Sequence, residues 1–369
     1  VTGRLQAAWL SRGPLAVLLL PVAAVYGAIT AIRSALYDVG LLRVETLPVP
    51  VVIVGNLVAG GAGKTPTVIA IVKLLRERGF RPGAVSRGYG RDTQASGAVL
   101  DAGLDAVLDV QPDTPATRCG DEPLLLRLRT GVPVVVGRDR VAAGRALLKA
   151  HPDVNVIVSD DGLQHRRLGR QVQVIVFDER GAGNGWWLPA GLLRERMPRS
   201  VPPRTLVLYN ADTATTPLAG HVATRSLAGV VALADWWAGK PPSLDALTAL
   251  TKAAEPRGRR IVAVAGTAQP ERFFSMLRAS GLHIEPLPLP DHHAFRTLPW
   301  PATAEQVVLT EKDAVKLRPD AVGATNVWVA TLDFCLGAAF ERALIAMLPP
   351  PPDRRPDNVQ ENAHGSPTA

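Results

Sequence analysis

The chain has 369 residues, room for two domains of ordinary size and too few for four. Hydrophobic residues make up 47 % and charged ones 20 %, which allows a sizeable core and excludes wholesale disorder; Gly and Pro are plentiful but aperiodic, which excludes a collagen-like or coiled-coil chain. The formal charge of +8 suits anionic partners, yet no dense Lys/Arg run and no basic stretch interleaved with aromatics occurs, so nucleic acid is not expected among them. Cys119 and Cys335 stand far apart, neither a disulfide framework nor a Cys-rich zinc site, and they suit a reducing compartment.

The first element is an uncharged stretch from Gly13 to Ile32, bounded by Arg12 and Arg33. At ~1.5 Å per residue a helix of this length spans about 30 Å, the hydrocarbon thickness of a bilayer. A secretory signal peptide, a buried core helix and a membrane helix all fit that description; a membrane helix is the reading taken here. Arginines flank both ends (Arg4 and Arg12, Arg33 and Arg43), so charge does not fix its orientation.

Residues 50–54, PVVIV, form an apolar β-branched run fit for a buried parallel strand. The loop from Gly55 to Pro66 follows, and TVIAIVKLLRERG then reads as a helix stopped by Gly79. Strand, Gly-rich loop, Lys-Thr and helix make the context of a phosphate-binding loop. Gly60, Gly61, Ala62 and Gly63 would curl backbone N–H groups around phosphate oxygens, Lys64 would reach the β- and γ-phosphates of ATP, and the Thr65 hydroxyl would ligate Mg²⁺. The usual spacing places Gly at position 58, where this chain has Val58.

Further strands are expected at 83–86, 132–137 and 154–158, with helices at 122–130 and 140–150 between them. Alternation of this kind predicts a doubly wound, mostly parallel sheet whose ligands lie beyond the carboxyl ends of the strands. The strand at 154–158 runs into Asp160 and Asp161, which fit the role of steadying Mg²⁺ in a phosphate-loop fold; an Asp-Gly turn is the plain alternative. QVQVIVFD is a further strand ending at Asp178. The Pro-rich segment 198–204 then marks a domain junction, followed by strands at 206–209, 261–265, 307–310 and 327–330 and a helix at 272–281. The polar, Pro-rich stretch after Leu348 is expected to be disordered.

These segments, in order, resemble the tetraacyldisaccharide 4′-kinases, the lipid A kinases of Gram-negative bacteria. The loop 55–66 is similar to that family's phosphate loop. So are Ser86-Arg87-Gly88-Tyr89-Gly90, Gly120-Asp121-Glu122-Pro123, and Asp160 to His165. Further likeness lies in Asn184-Gly185 with Leu188 to Glu195, Pro270 to Phe274, Asp291-His292, and Thr310 to Lys316. Leu192 stands where the family usually has Pro, and Gly266-Thr267-Ala268 replaces its more usual tripeptide. The resemblance runs from about residue 10 to about residue 348.

The resemblance implies a P-loop NTPase-like core with a smaller C-terminal α/β domain closing the cleft. The expected units are a membrane-associated helix over 1–35, a kinase core over 36–205, a second domain over 206–348 and a tail over 349–369. It implies transfer of the ATP γ-phosphoryl group to the 4′-hydroxyl of an acylated disaccharide 1-phosphate, on the cytoplasmic face of the inner membrane. It also implies a catalytic pair, Asp121 with His292, that takes the hydroxyl proton, the sequence leaving open which of the two finally holds it, with Lys64 neutralising charge. Read without the resemblance, Asp121-Glu122-Pro123 is a helix start and Asp291-His292-His293 a polar loop or metal pair. Arg87 is a phosphate clamp or a surface arginine, and Glu311-Lys312-Asp313 is a solvated charged turn or, following an expected strand, a strand end facing the cleft. The alternative function is a membrane-tethered nucleotide switch acting on a protein partner.

Overall fold

The computed structural model describes residues 7–89, 107–254 and 261–351. Two sheets carry the fold. The larger has eight strands: β1 (Val51–Gly55), β2 (Pro82–Ser86), β3 (Leu108–Asp109), β4 (Val134–Val136), β5 (Val156–Asp160), β6 (Val172–Phe177), β7 (Thr205–Tyr209) and β8 (His221–Val222). Their order is β3-β4-β2-β5-β1-β6-β7-β8, parallel throughout except for the short edge strand β3. β1, β2, β4, β5 and β7 are buried along their whole length. Both faces of this sheet are covered, which is why its strands read as continuous apolar runs rather than as alternations.

β1 lies between β5 and β6, with Val54 opposite Asp160 and Gly55 opposite Ile175. The carboxyl ends of these three strands therefore open side by side, where a doubly wound sheet receives its ligand. Helices between the strands are α3 (Lys64–Glu77), α4 (Ala116–Cys119), α5 (Asp121–Thr130) and α6 (Arg140–Ala150), after α1 (Pro14–Leu18) and α2 (Leu20–Asp38) at the start of the chain. Asp139 caps α6 by accepting from the N–H groups of Val141 and Ala142.

The second sheet has the order β11-β10-β12-β13-β9, built from β9 (Thr224–Ala232), β10 (Ile261–Ala265), β11 (Ile284–Pro288), β12 (Gln306–Thr310) and β13 (Asn326–Cys335). Around it lie α7 (Leu233–Trp237), α8 (Leu244–Ala254), α9 (Pro270–Ala279), α10 (Glu311–Ala314) and α11 (Ala338–Ala346).

Three expectations about boundaries need correction. The junction expected at 205/206 falls inside the first sheet, because β7 pairs with β6 along its length and β8 follows; the second sheet starts only at Thr224. The Pro-rich segment before β7 is an ordinary connection between two parallel strands. The last helix, α11, returns to the first unit: Phe340 is buried edge-on to His221, and the Gln171 side chain donates to the Met347 carbonyl. Finally, the apolar N-terminal stretch is not one helix. It breaks at Leu19, just ahead of Pro21, and then continues to Asp38. The tail expected to be disordered lies outside the described residues from 352 onward.

α2 is the one helix among the described residues long and apolar enough to cross a bilayer, and 11 % of its most apolar window is buried. Ala23 and Gly27 face the protein, whereas Val22, Val25, Ile29 and Ile32 are exposed. Gly27 lies flat on Trp187, where a Cβ would come within 1.9 Å of the indole. Tyr26 donates to the Arg194 carbonyl, and the Asn184 amide donates to the carbonyls of Ala8 and Ser11. The N-terminal segment is thus docked on the 184–194 loop through small residues and polar anchors, with its apolar side turned outward.

Candidate active site

The phosphate loop is held by its carbonyl groups. Those of Ala59 and Gly61 accept from Arg180, that of Gly60 from the Asn56 amide and that of Ala62 from the Asn210 amide. In a planar trans peptide the N–H points opposite to the C=O. Fixing this run of carbonyls outward therefore turns the following N–H groups toward the concave side, the arrangement that binds anions. Gly60 and Gly63 have φ of 89° and 83°, which only glycine adopts without strain. Arg180 is itself held by Asp178 at the end of β6.

Val58 is also explained. It is fully buried and bridges Leu193, while the Ala59 N–H donates to the Leu192 carbonyl and the Arg194 N–H to that of Leu57. Residues 57–59 act as a strand edge against 192–194, and the turn is made later, at Gly60 and Gly63. Glycine at 58 would forfeit about 2 kcal/mol of side-chain burial.

Lys64 extends into the cleft, 3.3 Å from Asn56 Oδ1 and 3.6 Å from Asp161 Oδ1. Asp161 has φ of 50°, and Arg194 lies 3.4 Å from its carboxylate. Burial works to raise the pKa of Asp161, but Lys64, Arg194 and Arg140 together pull it below the usual carboxylate range. Asp160 behaves in the opposite way. It is fully buried, its Oδ1 has no hydrogen-bond partner, and burial, helped by Glu122 and Asp161, pushes its pKa up to about 7. A buried carboxylate oxygen without a donor suits a cation. Among the described residues no cluster of three or more His, Cys, Asp or Glu side chains forms a metal cage. Thr65 is buried in the first turn of α3 beside Lys64.

Asp121 and His292 come together from the two units. Nδ1 of His292 lies 3.1 and 3.0 Å from the two carboxylate oxygens of Asp121. Asp121 is the first residue of α5, capped by Gly120 with φ of 95°, so the helix start read from the sequence is present. His292 takes φ of 60°, a left-handed conformation uncommon outside glycine, and Tyr89 stands with its ring centroid 5.3 Å from the imidazole. Burial opposes the ionisation of Asp121, but the His292 hydrogen bond, Lys312 and Lys316 outweigh it and lower its pKa. The Asp121 hydrogen bond raises the pKa of His292 against burial and Lys312. Gly60, Gly61, Gly63, Lys64, Thr65 and His292 line one cleft of about 680 Å³.

Several contributors were not singled out from the sequence. Asn56, Asn210 and Arg180 shape the loop, Arg194 steadies Asp161, and Lys316 approaches Asp121 to 3.9 Å. Asp178 at a strand end gave a hint of Arg180 and Lys316 ends the Thr310–Lys316 segment, but nothing local to Asn210 betrays it. Glu311, Lys312 and Asp313 have different tasks. Glu311 accepts from Arg129 and from Trp236; Asp313 is buried, accepting from Gly266 N–H and Thr310; Lys312 faces the cleft. Arg87 is exposed, and His293 accepts from the Phe295 N–H through Nδ1.

Known proteins resemble this chain. A family model described as tetraacyldisaccharide-1-P 4′-kinase matches residues 15–349. The chain is 53 % identical over 352 residues to a tetraacyldisaccharide 4′-kinase of Methylibium petroleiphilum, covering 94 % of each. To that of Leptothrix cholodnii it is 52 % identical over 363 residues, covering 97 % of this chain and 98 % of the relative. A crystal structure of LpxK from Aquifex aeolicus in complex with ATP matches with a TM-score of 0.71 at 25 % identity, over 91 % of this chain and 100 % of that one.

Proposed function

Since the chain belongs to the tetraacyldisaccharide-1-P 4′-kinase family, we propose how its residues divide the labour of that reaction. The protein is an ATP-dependent kinase that transfers the γ-phosphoryl group to the 4′-hydroxyl of a tetraacyldisaccharide 1-phosphate in lipid A biosynthesis. Family membership decides for the kinase over the nucleotide switch.

The amides of residues 60–65 and Lys64 hold the β- and γ-phosphates. Thr65, Asp160 and Asp161 would hold Mg²⁺, which supplies charge neutralisation on the phosphates when bound. Asp121 accepts the proton of the 4′-hydroxyl as the new O–P bond forms and the γ-phosphorus–oxygen bond to ADP breaks, ADP leaving with that electron pair. His292 orients the carboxylate and supports its charge.

The observation that carries this reading is the contact between Asp121 and His292 at a cleft whose other wall is the phosphate loop. The test is incubation of the full chain with labelled ATP and the disaccharide 1-phosphate, comparing Asp121→Ala with the parent protein. The reading requires a bisphosphorylated lipid from the parent and its near absence from the variant.

The substrate's acyl chains stay in a bilayer, so the enzyme works at a membrane surface. The outward apolar side of α2 supports its insertion in the inner membrane, with the two sheets on the cytoplasmic face where ATP is made available.

A further inference from the structure

The first turn of α9 divides its side chains between the two units. Phe273, Phe274 and Leu277 are buried in the core of the second unit. Gln269 and Arg272 reach the other way, to the first. Nε2 of Gln269 lies 3.2 Å from Asp178 Oδ2, and Nη2 of Arg272 lies 2.7 Å from the Asn210 carbonyl oxygen and 3.4 Å from Asn210 Oδ1. Arg272 is also ion-paired with Glu179. We propose that Arg272 is a positioning residue: from the second unit it fixes the Asn210 amide, and through that amide the phosphate loop, so that tight binding of a polyphosphate depends on it. The proposal rests on the reading of residues 60–65 as the phosphate-binding loop.

Asn210 follows β7 and is 1 % exposed. Its side chain has an oxygen that accepts and an NH₂ that donates. Nδ2 donates to the Ala62 carbonyl, 3.2 Å away, while Oδ1 is turned to the guanidinium, which has donors only. A flipped amide would set its NH₂ against the guanidinium and its oxygen against the Ala62 carbonyl, donor on donor and acceptor on acceptor. Arg272 thus selects the one orientation in which Ala62 is held. The carbonyl of Ala62 and the N–H of Gly63 share one peptide plane and point opposite ways, so holding the first aims the second into the concave side of the loop.

Gln269 props the loop's other brace. Asp178 holds Arg180, which donates to the carbonyls of Ala59 and Gly61. Between the two braces Ala268 covers the loop, 3.8 Å from where a Cβ on Gly61 would lie. Burial weighs against the Arg272 charge, and Glu179, Asp178 and Asp212 of the first unit support it. Removing Arg272 takes a charged donor from two oxygens of a buried residue, a larger loss than that of a neutral hydrogen bond.

The experiment titrates the full chain, without lipid substrate, with ATP, ADP and tripolyphosphate by calorimetry. The proteins compared are the parent, Arg272→Met, Asn210→Ala and the double variant. Arg272→Met should weaken all three ligands by about tenfold, because the loop is disturbed and not the site of the base. In turnover assays KM for ATP should carry the loss, with kcat at saturating ATP within about twofold of the parent. In the Asn210→Ala background the same substitution should cost less than about twofold more, since it acts through Asn210. Arg272→Lys, which retains a single charged donor, should lose about threefold and show the same non-additivity, so the cycle stands even where Arg272→Met does not fold. Losses that multiply in the double variant make Arg272 a direct ligand of the nucleotide and overturn the proposal. An unchanged Kd with a lowered kcat overturns it too, leaving Arg272 only a contact between the units. Undiminished ATP binding in Lys64→Ala would strike the phosphate-loop reading itself and this proposal with it.

Discussion

Nδ1 of His292 and the carboxylate of Asp121 meet at 3.0 Å although 171 positions separate them in the chain. Neither belongs to the phosphate loop. One starts a helix of the first unit, the other sits in a left-handed turn of the second, and the cleft is complete only when both units contribute. The contact therefore depends on how the two units sit against each other.

Replacing Asp121 by Asn keeps the shape but removes the proton acceptor. Turnover should fall by about 10²–10⁴ while ATP affinity, measured by calorimetry, stays within about threefold. Equal loss of both would count against Asp121 as the base.

Asp160 gives a pH-dependent prediction. The unfolded chain ionises this side chain near pH 4, whereas the folded protein holds its proton to about 7. Across that window the unfolded state releases a proton that the folded state keeps, so metal-free protein loses stability as pH rises. Asp160→Asn should match the parent in denaturant unfolding with chelator at about pH 4 and exceed it, by up to about 4 kcal/mol, above about pH 7. A difference that does not change with pH would rule out burial of this charge as the cause.

Gly63→Ala should abolish tight nucleotide binding. Its φ is 83°, and an added Cβ would lie 1.9 Å from Nδ2 of Asn210, the group that holds the Ala62 carbonyl. Backbone strain of about 1–3 kcal/mol adds to the loss of that brace. The thermal shift produced by ATP should vanish; a shift of undiminished size would mean the loop is not shaped as argued.

The outward side of α2 should carry membrane binding. Val25 and Ile29 are exposed on it. Changing both to Asp should release the protein from anionic vesicles in flotation assays and slow turnover on lipid in bilayers, while ATP binding persists. Unchanged flotation would assign membrane contact to another surface.

Much of this was legible beforehand because it is local. The phosphate loop declares itself through Gly60 to Thr65, and the central strands of the first sheet do so as apolar runs, since burial on both faces removes alternation, whereas the two-residue edge strands β3 and β8 carry no such run. β9 and β11 were not seen. β9 is an edge strand with mixed exposure, and β11 carries Pro286 and Pro288, so neither shows a clean period. The Asp121–His292 pair was reached only through resemblance, as no spacing links residues in different units. Asn210 acts through tertiary approach alone and nothing beside it in the chain marks it, whereas Lys316 closes the Thr310–Lys316 segment without any sign that it would reach Asp121.

The two crossings between units run side by side. β9 leaves the first unit just after Ala223, β13 re-enters it at Leu336, their ends pair at Thr224 and Cys335, and Gly337 passes the Val222 carbonyl. The smaller unit is thus an insert hung on a two-ply ribbon, and a ribbon bends readily about one axis while resisting twist. A protease that severed one ply would leave the flap attached by the other.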